Sequence, residues 1–211
     1  MKKLFAVVLA LCLLCGATMA ESAPRILIAY VSRAGENYNV GITDPDSASA
    51  AYAGYIEKGN TQIVAETLAE LTGGDLYQIT TVEPYPDDYA SMLTRAQEEL
   101  DADARPELAG ELPNLGDYDI IMIGYPIWHG RMPQAILTFM DTHDLTGKTV
   151  IPFNTHEGSG QARTQQDIEK LMTEEVTVLQ GLAVRGGKAQ NDAEGTAEDV
   201  ANWLKEIGLA E

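Results

Sequence analysis

The chain has 211 residues, with 14 Lys and Arg against 32 Asp and Glu, a formal net charge of −18, and two cysteines. A surface this acidic repels nucleic acid and anionic lipid headgroups, and it favours solubility or docking to a basic partner. Lys2 and Lys3, the apolar run 4–14 and the small residues around Thr18 and Ala20 read as a secretory signal peptide over 1–20, cleaved near Ala20. The run is too short for a retained membrane helix, so no membrane span is expected in the mature chain. Cys12 and Cys15 each follow a leucine, which argues against a lipid-anchored cysteine. Both lie inside the leader, so the exported protein, placed in the periplasm or outside the cell, has no disulfide and no thiolate chemistry. Residues 21–211 are ample for one domain with a sizeable core.

Five apolar runs predict strands at 25–31, 75–80, 119–125, 149–154 and 177–184. Ile120, Ile121, Met122 and Ile123 are apolar without alternation, the pattern of a strand covered on both faces. Between them lie helix-like stretches at 61–71, 88–100, 132–142, 161–172 and 196–207. The first is expected to bury Ile63, Val64, Leu68 and Leu71 and to stop at Gly73-Gly74. Strict alternation of strand and helix argues for an α/β fold, a doubly wound five-stranded parallel sheet with helices on both faces. The stretch 35–58, rich in Ala, Ser, Gly and Tyr, fits no element. It reads as an insertion in a ligand-side loop, and its attachment predicts a lid over the site.

Three loops at the carboxyl edge of such a sheet carry the chemistry. The first supplies Ser32, Arg33, Gly59, Asn60 and Thr61 at a helix start. Free N–H groups and the helix dipole there suit a phosphate, while the bland alternative is that Asn60 or Thr61 caps the helix. The second is Pro126-Ile127-Trp128-His129-Gly130, running on to Arg131 and Pro133. Trp128 at an exposed loop tip suggests an aromatic platform, against the alternative of an indole folded over the core. His129 has the chemistry of a hydrogen-bond donor or general acid. The third loop, Thr155, His156, Glu157, Gly158 and Ser159, suits the edge of a heterocycle, unless Ser159 merely caps the next helix. Gly158-Ser159-Gly160 lacks the spacing of a hydrolase nucleophile turn. His129, His143 and His156 lack metal-ligand spacing, so no metal is expected. A phosphate cradle beside an aromatic platform points to a flat, phosphorylated cofactor.

The strand from Ile26 to Ser32, followed by Gly59-Asn60-Thr61 and by Val64-Ala65-Glu66, resembles the first strand, phosphate loop and first helix of flavodoxins. Pro84-Tyr85-Pro86-Asp87-Asp88-Tyr89 and the stretch 124–133 are similar to the flavodoxin-like family of bacterial genomes, which includes exported members. That resemblance implies strand order 2-1-3-4-5 and FMN as the ligand. Ser32, Arg33, Asn60 and Thr61 would hold the phosphate. Residues 126–130 would line the isoalloxazine, with Trp128 against the ring, and 155–159 would border its far edge.

Two departures stand out: the phosphate loop is split by the insertion, and the third loop has no tyrosine for the second flavin face. Tyr38, Tyr52 or Tyr55 from the insertion would cover that face, or it stays open. The expected function is an exported FMN-binding redox protein that passes electrons to a partner protein or small-molecule acceptor, with no catalytic residue assigned. An NAD(P)H:quinone-type oxidoreductase and a non-redox phosphate-binding module are the alternatives.

Overall fold

The computed structural model describes residues 23–37 and 54–210. The signal segment, both cysteines, Tyr38 and Tyr52 lie outside the described residues, as does the central part of the expected lid. Eight strands and six α-helices follow in chain order among those residues: β1 (Ile26–Tyr30), β2 (Gly35–Asn37), β3 (Gly54–Ile56), α1 (Asn60–Thr72), β4 (Asp75–Gln78), α2 (Tyr89–Asp101), β5 (Ile120–Pro126), α3 (Gln134–Asp141), β6 (Thr149–His156), α4 (Thr164–Leu171), β7 (Thr177–Val178), β8 (Leu182–Arg185), α5 (Gly186–Asn191) and α6 (Ala193–Glu206). The main sheet runs β4-β1-β5-β6-β7, with β8 also on β6, and every pairing within it is parallel. Counting β7 and β8 as one interrupted strand, this is the order 2-1-3-4-5.

The layers follow from side-chain alternation in strands buried on both faces. Leu27, Ala29 and Val31 of the first strand region, with Ile121, Ile123 and Tyr125 of β5, face α3 and α4. Ile28, Tyr30, Ile120, Met122, Ile151 and Phe153 face α1, α5 and α6. Within α1 the buried set is Thr61, Val64, Ala65 and Leu68, spaced i, i+3, i+4, i+7. Leu71, expected inside, is 47 % exposed.

The fifth strand, expected to be continuous over 177–184, is broken. Lys148 and Val150 of the fourth strand accept the N–H groups of Thr177 and Leu179, so even-numbered residues there turn their backbone groups towards the fifth strand. The next even position is Pro152, which has no N–H to give, and the ladder lapses. Side-chain amides fill the gap. Gln165 accepts from the Gly181 N–H (3.0 Å) and donates to Leu179 C=O (3.3 Å), and the Trp203 indole donates to Gln180 C=O (3.0 Å).

The insertion also departs from expectation. Its ends are not irregular: β2 and β3 pair antiparallel, with Gly35 opposite Ile56 and Asn37 opposite Gly54. The insertion therefore leaves the domain through a short ribbon. The last helix starts earlier than expected, at Ala193, and α5 precedes it. Among the described residues no helix is long and apolar enough to cross a membrane.

Candidate functional site

The loops leaving β1, β5 and β6 meet at the carboxyl edge of the sheet, where a doubly wound fold binds its ligands. In the first loop, α1 begins at Asn60 with Gly59 as its N-cap residue, and no side chain of that residue caps it. Neither Asn60 nor Thr61 is the cap. Ser32 reaches across from the end of β1 instead, and its hydroxyl accepts the Gln62 N–H at 3.0 Å. A Cβ on Gly59 would overlap the Ser32 hydroxyl and the Arg33 carbonyl, so only glycine lets the two chain segments approach. Thr61 is 1 % exposed, and its hydroxyl pairs with that of the buried Thr155 at 2.8 Å. The Asn60 side-chain oxygen Oδ1 accepts from Gln190 Nε2 at 2.8 Å. Arg33 Nη1 donates to Asp87 C=O at 2.7 Å, tying the loop to the segment ahead of α2.

The second loop is a two-residue hairpin. Trp128 and Arg131 exchange backbone hydrogen bonds of 2.9 and 2.8 Å, and the central His129 and Gly130 have φ of 48° and 71°. Two left-handed central residues match the right-handed twist of the flanking chain, and for His129 that conformation costs about 1–2 kcal/mol. The turn swings the His129 ring outward, where Nε2 donates to Leu93 C=O at 3.0 Å. His129, placed at the site by sequence, is exposed and lines neither of the clefts described below.

Trp128 is not an exposed tip either: it is 9 % exposed, with its ring edge-on to Tyr85 at 4.8 Å and 72°. Tyr85 is itself locked. Its hydroxyl donates to Glu99 Oε2 (2.7 Å), and the Arg95 guanidinium lies 4.3 Å from its ring centroid while binding Glu99 Oε1 at 2.8 Å. Burial, then the Glu99 carboxylate, holds the Tyr85 phenol far above its ordinary pKa.

In the third loop, the Thr155 carbonyl accepts the Ile127 N–H (2.9 Å), joining it to the second. His156 Nδ1 accepts the Gly158 N–H at 2.9 Å, so that nitrogen carries no proton. Burial and the Arg185 cation lower the pKa of the ring, which keeps it neutral. Ser159 does not cap α4, which starts at Thr164 without a side-chain cap; its carbonyl accepts the Ala162 N–H instead. Glu157 is the unusual group. Burial pushes its carboxyl up to about 7, against the pull of Arg185 and of the Gly187 N–H.

These loops enclose two adjoining clefts. One, of about 220 Å³, is lined by Trp128, Gly130, His156, Glu157 and Ser159 among others. The other, of about 50 Å³, is lined by Ser32, Arg33 and Thr61. Asn60, Tyr89, Pro126, Trp128 and Thr155 border both, so the pair forms one groove. Of the residues singled out from sequence, Gly59, His129 and Gly158 line neither part, while Ile127 joins the larger one. Sequence reasoning missed Tyr89 and Met92 of α2 and Gly186 of α5. For Tyr89 a signal existed, since it closes the Pro84–Tyr89 motif directly ahead of the helix. A larger cavity, about 660 Å³, lies elsewhere, against α2 and segments 81–86 and 104–107. No loop from the carboxyl edges of β1, β5 or β6 reaches it, and Glu83, Glu98, Glu99 and Glu107 make it acidic.

The family model described as flavodoxin matches residues 49–207. The chain belongs to the flavodoxin family. Structural comparison covers more of the chain than the matched span, which omits β1. A candidate flavoprotein from Bacteroides eggerthii is 29 % identical, with a TM-score of 0.64 over 87 % of this chain and 98 % of its own. A second, from Bacteroides uniformis, is 26 % identical, with a TM-score of 0.63 over 87 % and 99 %. A flavoprotein from Lactobacillus acidophilus in complex with FMN is 20 % identical, with a TM-score of 0.56 over 76 % and 93 %, a likeness of fold alone. Among curated proteins none matches the chain. Flavodoxin membership agrees with the strand order and with the three-loop groove at the point where that order reverses.

Proposed function

We propose that the chain binds FMN in this groove and acts as an exported electron-transfer flavoprotein. The observation that carries the reading is the meeting, in one groove, of a helix N-terminus without a cap of its own and an aromatic wall. The first turn of α1 has N–H groups to offer, and Gly59 lets the loop after β1 lie directly against it. These fit a phosphate dianion, and the Ser32 hydroxyl and the Asn60 amide stand beside them. Trp128 and Tyr89 fit a flat ring system. The flavin complex of the Lactobacillus acidophilus protein supports the same ligand on the same fold. When bound, FMN supplies one- and two-electron chemistry, and the protein supplies position, exclusion of water and local charge.

Each part of the chain then has a task. The α1 backbone holds the phosphate end. Trp128, braced by Tyr85, covers one side of the ring, and the backbone of 155–159 meets its polar edge. Export rests on the leader at 1–20, and the strongly acidic surface suits a basic redox partner. A second reading, an FMN-dependent NAD(P)H:quinone-type reductase, is favoured by the third loop, which presents His156 and Glu157 in place of a covering tyrosine. Titration of the ligand-free protein with FMN and with riboflavin tests the first reading. FMN should bind at least tenfold tighter, given about 1.5–3 kcal/mol for each charge-assisted hydrogen bond to the phosphate. Equal affinities would refute it. Oxidation of NAD(P)H by the flavin-loaded protein, with a quinone as acceptor, separates reductase from carrier.

A further inference from the structure

A carboxylate beside a helix start and a guanidinium ordinarily collects hydrogen bonds that keep it ionised. Glu157 has the neighbours without the bonds. Both its oxygens are buried and neither completes a well-formed hydrogen bond among the described residues, the Gly187 N–H pulling on the carboxyl only weakly. Arg185 Nε stands 4.0 Å off on a side chain that is half in solvent, a marginal pairing. The titratable groups on the neighbouring segments are committed elsewhere. His156 turns Nδ1 to the Gly158 N–H, Lys188 of α5 pairs with Asp199 at 2.5 Å, and Lys58 ahead of α1 pairs with Glu66 at 2.6 Å. Burial that outweighs the Arg185 cation and the Gly187 N–H is why the carboxyl is pushed up to about 7.

Its position gives that property a use. A side chain at Gly186 would collide with both Glu157 Oε1 and Asn60 Nδ2, so the acid and the amide flank one small space. Asn60 is the first residue of α1, where the phosphate of a ligand would lie. An ionised Glu157 would set a negative charge against that dianion in a poorly hydrated corner, where like charges oppose each other strongly. A neutral Glu157 does the reverse, since its O–H is a donor.

We propose that Glu157 is the charge-selecting residue of the groove: a phosphate-bearing ligand is accepted with Glu157 as the neutral acid, so loading takes up a proton from solvent. The proton joins one carboxylate oxygen, and the ligand stays a dianion. The inference rests on the phosphate-site reading above and adds the proton to it.

The test is calorimetric titration of the ligand-free protein with FMN at pH 8.0, where a phosphomonoester, with its second pKa near about 6, is already dianionic. Running it in HEPES and in Tris, whose ionisation heats differ, gives the protons taken up per ligand. Wild type should take up close to one proton with FMN and none with riboflavin. Glu157→Gln should take up none with either and bind FMN more tightly than wild type at this pH. Above pH 7 the wild-type affinity for FMN should fall by about tenfold per pH unit, while that of Glu157→Gln changes little. A measurement free of any variant follows the ¹³C shifts of glutamate carboxyls. One should titrate near neutrality in the free protein and remain protonated at pH 8.0 in the complex. FMN binding that beats riboflavin yet takes up no proton, or a proton still taken up by Glu157→Gln, overturns the assignment and leaves the FMN reading standing. FMN binding no better than riboflavin overturns both.

Discussion

Glu157 makes a prediction about the ligand-free fold that does not depend on what the groove binds. Its carboxyl sits at about 7 in the folded chain against a reference value of 4.5. A raised folded pKa means the folded state holds a proton that the unfolded chain has released at intermediate pH. Stability from this group is therefore full below about pH 4.5 and is lost as pH rises through 7. The gap of about 2.5 units, at 1.36 kcal/mol each, corresponds to about 3 kcal/mol between pH 4.5 and 8. The side chain is 19 % exposed, so solvent screening trims this figure only modestly. In a domain of this size each kcal/mol moves Tm by about 2–4 °C. Glu157→Gln keeps the shape and removes the titration, although a buried amide brings unmet hydrogen bonds of its own. The informative quantity is thus the change with pH in the difference between variant and wild type. Urea unfolding at pH 5, 6, 7 and 8 should show Glu157→Gln gaining on wild type by about 2–3 kcal/mol across the series. Parallel curves would refute the account of this carboxyl as one whose burial outweighs its contacts with Arg185 and Gly187.

Thr61→Ala should leave the Thr155 hydroxyl buried without its partner and lower stability by about 1–3 kcal/mol, read by urea unfolding. FMN and riboflavin affinities should change in parallel, because the Thr61 hydroxyl is engaged inward and the backbone N–H groups are what α1 offers to a phosphate. Tyr85→Phe removes the hydrogen bond to Glu99 and should cost about 1.5–3 kcal/mol. It should also shift Trp128 fluorescence in the ligand-free protein, since the ring against which the indole rests then keeps only its packing and the Arg95 guanidinium; an unchanged spectrum would separate Tyr85 from the positioning of Trp128.

The strands were legible where burial alone decides them. The first, third and fourth runs are apolar because both faces are covered, and they fall within two residues of β1, β5 and β6. The fifth was misread because its interruption is written in another strand: Pro152 withholds an N–H that only a laterally paired neighbour would miss. α5 was invisible for a related reason. Gly186-Gly187 is a poor helix start by propensity, and the glycine at 186 answers to the close approach of Asn60 and Glu157, more than a hundred and almost thirty residues away in sequence.

The site was legible as three loops and illegible in orientation. Nothing local to 126–133 says that Trp128 leans on Tyr85, or that a left-handed His129 throws its imidazole onto α2. Residue types located the groove, but backbone torsions and distant partners decided which side chains face it. Ser32 shows the same thing on a smaller scale. It was placed correctly by its position after β1, yet its bond to Gln62, thirty residues on, needed the fold to bring the two segments side by side.

The ribbon formed by β2 and β3 bears on how this protein varies. Because Asn37 and Gly54 are held opposite each other, the chain between them begins and ends at one point on the domain. Closing a loop costs only about 0.6 kcal/mol more for each doubling of its length. The sheet therefore does not register how many residues are strung between those two positions. That makes the ribbon a socket at the mouth of the groove, where natural insertions can lengthen, shorten or exchange content without refolding the host, and where a reporter or recognition module could be seated to sense what enters.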